Sequence, residues 1–254
     1  MRRALALLAA LALLAPASGC GGDDAGGSGK PRLVVSAGSS MSEALTACGR
    51  DHPGATVRLQ FAGSDALAAQ IRRGVKPDVY AAASTRLPAQ LHAEGLLSAP
   101  VEFATNELVL AVPAGSEIGS LGDLAGAGTK VAIGSNSVPI GAYTRERLAR
   151  LPSAQEHAIL ANVRSEEPDV KGIVGKLIQG AADAGFVYLS DVEAADRRLT
   201  AIELPARLEP EVAYAAGVVD GAHQPDRARA FVEGLRDGPC AAALGEAGFG
   251  PPSR

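Results

Sequence analysis

The residues best suited to chemistry in this 254-residue chain are uncharged. Ser40 and Ser64 each stand where a strand-like run gives way to a helix-period segment, and Pro139-Ile140 and Pro168-Asp169-Val170 occupy two further helix starts. The first amides of a helix lack intrahelical partners, and the helix dipole adds about half a positive charge at that end. Each start therefore offers donors to an anion. If the four starts face one cleft, the Ser40 and Ser64 hydroxyls and the Tyr188 phenol complete a ring of neutral donors. Such a ring suits a fully ionised oxyanion, which carries only acceptors, whereas an anion that keeps a proton needs an acceptor in its site. No start is decisive alone: a serine before a helix is usually an N-cap, and a tyrosine is usually a core residue with one satisfied hydroxyl.

The elements that must carry these residues alternate in the manner of βαβ units, which predicts an α/β fold with largely parallel sheets. Leu33-Val34-Val35, Thr56 to Phe61 and Asp78 to Ala83 read as strands, and Met41 to Arg50, Asp65 to Arg73 and Arg86 to Glu94 as the helices between and after them. Phe103 to Val112 reads as one long strand leading into a second lobe. That lobe carries strands at Lys130 to Ile133 and Gly185 to Tyr188, with helices from Pro139 to about Arg150 and from Pro168 to about Ile178. Val212 to Val219 returns the chain to the first lobe, which two helices from Pro225 and Gly238 complete. The expected division is residues 31–108 plus 216–254 for lobe I and 109–215 for lobe II. Two lobes joined by two crossing strands make a hinge, with the default ligand cleft at the carboxyl ends of the strands.

The chain opens with Arg2 and Arg3, an Ala/Leu run from Ala4 to Ala15, and then Pro16-Ala17-Ser18-Gly19-Cys20, which reads as an export signal over residues 1–20. The run falls short of the about 20 apolar residues that a membrane span needs. Small residues before Cys20 resemble a bacterial lipobox, in which the cysteine is lipidated, although Ala17 stands where leucine is usual. Residues 21–30 then form a glycine-rich tether. A lipid-anchored, exported protein at the cell surface or in the periplasm is the expectation; release after cleavage is the alternative. In an oxidising compartment two cysteines in one domain are more often paired than free, which predicts a Cys48–Cys240 disulfide. The alternative is two buried thiols acting as small apolar residues. A hydrophobic content of 47% supports real cores, and a net charge of −4 with no basic stripe argues against nucleic acid as a partner.

Several motifs, in order, resemble those of bacterial molybdate-binding proteins, the substrate-binding components of ABC importers. Ser36-Ala37-Gly38-Ser39-Ser40-Met41 resembles their first serine motif, and Phe61-Ala62-Gly63-Ser64 their second. Lys76 to Ser84, Asn106-Glu107-Leu108-Val109-Leu110, Ser137-Val138-Pro139-Ile140-Gly141-Ala142-Tyr143, Asp169-Val170-Lys171 and Gly185-Phe186-Val187-Tyr188-Leu189-Ser190-Asp191 follow in the family's order. Together they span essentially the whole chain after the tether. The resemblance implies the two-lobed periplasmic-binding-protein (type II) fold and a monomer that binds molybdate, with tungstate comparable, and docks on ABC permease subunits. It also implies no cofactor. Carried over by residue, the ligand contacts are the Ser40 and Ser64 hydroxyls, the Ile140 and Val170 amides and the Tyr188 hydroxyl, all reaching the metal only through oxyanion oxygens. Three departures matter. Ile140 stands where alanine is common, Asp65 follows Ser64 where a serine is usual, and Ser39 beside Ser40 leaves open which hydroxyl binds.

An enzyme is the rival class, but the chain has no Gly-x-Ser-x-Gly elbow, no phosphate-cradling Gly-x-x-x-x-Gly-Lys loop and no paired histidines. His52, His92, His157 and His223 are scattered among polar neighbours and read as solvated surface. Glu166-Glu167 reads as favourable charge before a Pro168-opened helix. A binding protein of the same architecture for sulfate, phosphate or another small anion is the closer alternative.

Overall fold

A computed structural model describes residues 30–50 and 52–253. The expected signal with Cys20, and the tether apart from Lys30, lie outside the described residues. The described residues form two five-stranded sheets. The first is built from β1 (Arg32–Gly38), β2 (Thr56–Ala62), β3 (Val79–Ala82), β4 (Val101–Asn106) and β10 (Val212–Val218), in the order β2-β1-β3-β10-β4. The second contains β5 (Leu108–Pro113), β6 (Val131–Gly134), β7 (Val163–Glu167), β8 (Ala184–Tyr188) and β9 (Leu199–Glu203), in the order β7-β6-β8-β5-β9.

Neither sheet is purely parallel. β10 runs antiparallel to β3 and β4, and β5 runs antiparallel to β8 and β9. Each is the first strand after a crossing between lobes, and each runs antiparallel to both strands beside it. The expected long strand from Phe103 to Val112 is two strands, broken at Glu107, whose backbone N–H is taken by the Asn106 side chain at 2.9 Å. All of β10 belongs to the first sheet, so the return crossing precedes Val212, and the expected boundary after residue 215 falls inside a strand.

The first sheet is covered on both faces. Helices α2 (Ser64–Arg72) and α3 (Arg86–Ala93) bury Leu67, Ile71, Leu87 and Leu91 against one side. Helices α1 (Ser42–Arg50), α8 (Pro225–Asp237) and α9 (Pro239–Glu246) cover the other. Cys48 on α1 is bonded to Cys240 on α9, with Cα atoms 4.8 Å apart, as the cysteine count predicts. The second lobe carries α4 (Pro139–Leu148), α5 (Ser153–Ala161), α6 (Val170–Ile178) and the short α7 (Leu189–Glu193).

Three further expectations are corrected. Pro168 lies outside α6, which starts at Val170 with Asp169 as its N-cap. Glu166 and Glu167 end β7 and are held there, Glu166 by Arg145 at 2.9 Å and Glu167 by the Ser165 hydroxyl, so they do not serve a helix start. His52 is half-buried against Phe231, with ring centroids 5.6 Å apart and burial lowering its pKa, while the other three histidines are exposed.

Candidate functional site

Strand register sets the site. In the parallel β1–β2 pair the last rung joins Gly38 to Ala62, so the chain segments bearing Ser40 and Ser64 leave the sheet side by side. In the β6–β7 pair Gly134 stands opposite Glu167, which brings out the Val138-to-Ile140 and Pro168-to-Val170 segments together. β8 ends at Tyr188 beside them. All five residues expected to bind, Ser40, Ser64, Ile140, Val170 and Tyr188, line a single small cavity between the lobes.

The serines do not cap their helices. Gly38 precedes a 3-10 turn at Ser39–Met41, Gly63 is the N-cap of α2, and neither start has a side-chain cap. Both hydroxyls are thus relieved of the role that serines most often play at a helix start. The Ser64 hydroxyl accepts from the Ala83 backbone N–H at 3.1 Å, which leaves its own proton uncommitted. The Tyr80 phenol fixes the start of α2 by donating to the Ser64 carbonyl at 2.7 Å. Ser40 Oγ lies 3.1 Å from the Tyr214 hydroxyl, and Ser39 also lines the cavity.

In the second lobe Pro139 occupies the first position of α4, where its missing N–H costs nothing, and Val170 opens α6. Tyr188 is only 1% exposed, and its hydroxyl has no partner among the described residues. A buried hydroxyl left unpaired costs on the order of 1–3 kcal/mol, so this one is poised for an acceptor in the cavity. Burial, then the nearby Tyr214, Tyr143 and Asp191, push the Tyr188 pKa well above that of an ordinary phenol, which keeps it a proton donor.

Among the described residues no lysine or arginine lines the cavity. Asp65 does not line it either. Asp169 does, a residue not expected in contact, but its carboxylate accepts from the Gly172 N–H of its own helix at 3.1 Å. The nearby cations are engaged elsewhere. Arg145 donates to the Gly134 carbonyl at 2.7 Å and pairs with Glu166. Lys171 on α6 reaches across the cleft to Glu43 on α1 at 2.8 Å and contacts the buried Asp191 at 3.1 Å. Burial works against the Lys171 ammonium, but Asp191 and Glu43 outweigh it and hold its pKa above that of an ordinary lysine. Burial raises the Asp191 pKa to about 6 against the opposing effects of Lys171 and the Tyr188 N–H. The lobes meet closely beside the cavity: a Cβ at Gly63 would fall inside 3.0 Å of the Pro168 carbonyl oxygen.

Sequence reasoning missed Asn106 and Tyr214, which lie behind Ser40. Tyr214 is fully buried, packed edge-on to Tyr188 at 5.9 Å, and Asn106 is 7% exposed. Asn106 sits inside a motif quoted for the resemblance, but nothing in sequence spacing signals its contact with a residue 108 positions away.

Two α/β lobes, two linking segments and a donor-lined cleft between them define a solute-binding protein. The profile of the bacterial extracellular solute-binding protein family matches residues 33–250, and the chain belongs to that family. It is 35% identical over 231 residues to the molybdate-binding protein ModA of Mycobacterium tuberculosis, covering 88% of this chain and 86% of that one. A putative ABC transporter substrate-binding lipoprotein, YvgL of Bacillus subtilis, is 28% identical over 219 residues, covering 82% of each. Among solved structures, the periplasmic molybdate-binding protein of Azotobacter vinelandii superposes with a TM-score of 0.77 at 21% identity, over 87% of this chain and 100% of that one. The sulfate-binding protein SubI of Mycobacterium tuberculosis gives 0.74 at 15% identity, over 87% of each. These two superpositions show the fold alone.

Proposed function

We propose that this protein captures molybdate, and tungstate comparably, for delivery to the permease subunits of an ABC importer, as an exported monomer anchored through lipidated Cys20. One observation carries the ligand assignment: donors from both lobes surround one small cavity that, among the described residues, no lysine or arginine lines. The Ser40 and Ser64 hydroxyls, the Ile140 and Val170 amides and the Tyr188 hydroxyl bind the oxyanion through its oxygens. A guest with four acceptor oxygens and no proton can use every donor, and partial charges at helix starts compensate its charge without a salt bridge. Because the donors come from both lobes, the ligand favours the closed form by its differential contacts, and the closed form is what the permease receives. The 35% identity to a molybdate-binding protein supports the same reading.

Calorimetry of the domain from residue 30 onward, with molybdate, tungstate, sulfate and phosphate in one buffer, tests it. Molybdate and tungstate are expected to bind with similar affinity, well ahead of sulfate and phosphate. Ser64→Ala is expected to weaken molybdate binding by about 1–3 kcal/mol, the value of a charge-assisted donor. A preference for sulfate or phosphate would replace the ligand assignment, and parent-like binding by the variant would remove Ser64 from the site.

A further inference from the structure

We infer that Asn106, at the hinge and remote from the ligand, sets the direction of a buried hydrogen-bond chain that makes Ser40 a donor to the cavity and so excludes oxyanions that retain a proton. The inference rests on the oxyanion reading above. Its basis is a set of four polar side chains, Asn106, Ser190, Tyr214 and Ser40, each no more than 7% exposed.

The Asn106 amide cannot be turned over. Its Oδ1 accepts the Glu107 backbone N–H at 2.9 Å, at the break between the two strands that cross the hinge. Flipping the amide would set an NH2 group against that N–H. The Nδ2 group therefore faces Ser190 Oγ at 2.8 Å and the Tyr214 hydroxyl oxygen at 3.5 Å, one acceptor for each of its hydrogens. The second contact is long, and its value lies in direction rather than strength, because an amide NH2 donates and never accepts.

From that point the polarity follows step by step. The Tyr214 oxygen receives from Asn106, so its one proton is directed to its other neighbour, Ser40 Oγ, at 3.1 Å. Ser40 Oγ accepts that proton, and its own hydrogen remains for the cavity it lines. Ser64 is set the same way by a different group, since the Ala83 N–H can only donate. Both first-lobe hydroxyls thus point protons at the guest. Reversing the chain would leave Ser40 presenting lone pairs, which a fully ionised oxyanion cannot use and a protonated one can. Asn106 is accordingly a positioning residue for specificity, acting through Tyr214.

The test compares molybdate with hydrogenphosphate at pH 8, because both then carry two negative charges and only one carries a proton. Asn106→Asp places an acceptor where Nδ2 stands, and any repulsion from the added charge falls on both anions alike, so it cancels in the ratio of their dissociation constants. Calorimetry is expected to show the molybdate preference reduced by about tenfold or more, the value of one reversed hydrogen bond. Tyr214→Phe, which cuts the chain without adding charge, is expected to narrow the same ratio by a smaller factor, as Ser40 becomes free to turn, and it serves if the aspartate variant does not fold. A ratio within about twofold of the parent in the folded variant overturns the inference, even if both affinities fall together. A parent protein that binds neither anion overturns the oxyanion reading and this inference with it.

Discussion

Gly63→Ala, at a residue that lines the cavity, probes lobe closure. The Gly63 backbone has φ of −57° and ψ of 135°, a conformation that any residue adopts, so alanine introduces no local strain. Its methyl group would nevertheless fall inside 3.0 Å of the Pro168 carbonyl oxygen, a backbone atom of the opposite lobe that cannot swing aside. The Asp65 carboxylate is also close, but it is a side chain and can move. Ordinary contact begins at 3.4 Å, so the lobes must part at the seam. A parting of about 1 Å stretches hydrogen bonds of about 2.8 Å beyond the 3.5 Å at which they count, for the three second-lobe donors Ile140, Val170 and Tyr188. Each such bond to an anion contributes about 1.5–3 kcal/mol, so losing two of the three costs at least about 3 kcal/mol, or more than about a hundredfold in affinity. Calorimetry with molybdate reads the loss. Urea unfolding without ligand should leave the variant within about 0.5 kcal/mol of the parent, because an open form has no seam to obstruct. Parent-like affinity would show that the ligand is held without this closure. An equal loss of ligand-free stability would show that Gly63 serves folding.

Tyr188→Phe should move binding and stability in opposite directions: molybdate affinity falls by about 1.5–3 kcal/mol, while ligand-free stability holds or rises because an unpaired buried hydroxyl is gone. Calorimetry and thermal melting of the same sample check both. Reducing Cys48–Cys240, which closes a separation of 192 residues, should lower stability by up to about 5 kcal/mol if chain entropy dominates, as read by denaturant midpoints with and without reductant. The Asp191 pKa of about 6 lies above its ordinary value of 3.8, so the folded protein holds that proton more tightly than the unfolded chain. Its contribution to stability is present below about pH 4 and is lost as pH rises through about 6. Asp191→Asn should remove that slope from urea midpoints measured across the window, and an unchanged slope would assign it to other groups.

Local signals made most of the first lobe legible. Short apolar runs became β1, β2 and β3, and Gly95, with its φ of +74°, ends the helix where expected. The second lobe was harder to read for a physical reason. β7 reads Val-Arg-Ser-Glu-Glu, an edge strand whose charged alternation resembles a loop, and neither it nor α5 was anticipated. Nothing in the run from Phe103 to Val112 breaks a strand; the break at Glu107 is a tertiary event, imposed where the Asn106 side chain replaces a ladder partner. The five proposed ligand residues, which line one cavity, were found only because a family resemblance supplied the convergence. Asn106 and Tyr214 escaped because a polar residue in a crossing strand and a tyrosine in a buried one look like ordinary core until their partners are known.

The position of the serines by a single residue decides what the site can do. A serine at the N-cap spends its oxygen on an amide of its own helix, and it then helps the helix rather than the guest. Here glycines precede both turns, Gly38 before Ser39–Met41 and Gly63 before α2, so each hydroxyl falls one or two places inside the first turn. Each oxygen instead meets a group from elsewhere in the lobe: the Ala83 N–H donates to Ser64, and the Tyr214 hydroxyl lies 3.1 Å from Ser40 Oγ. Glycine is also what allows the Pro168 carbonyl to approach at Gly63. One choice of residue therefore withholds the cap, frees the proton and lets the opposite lobe close over it. With Lys171 and Arg145 already paired to carboxylates, an acidic protein can accept an anion on dipoles alone, and on the reading proposed above selection rests on where protons point.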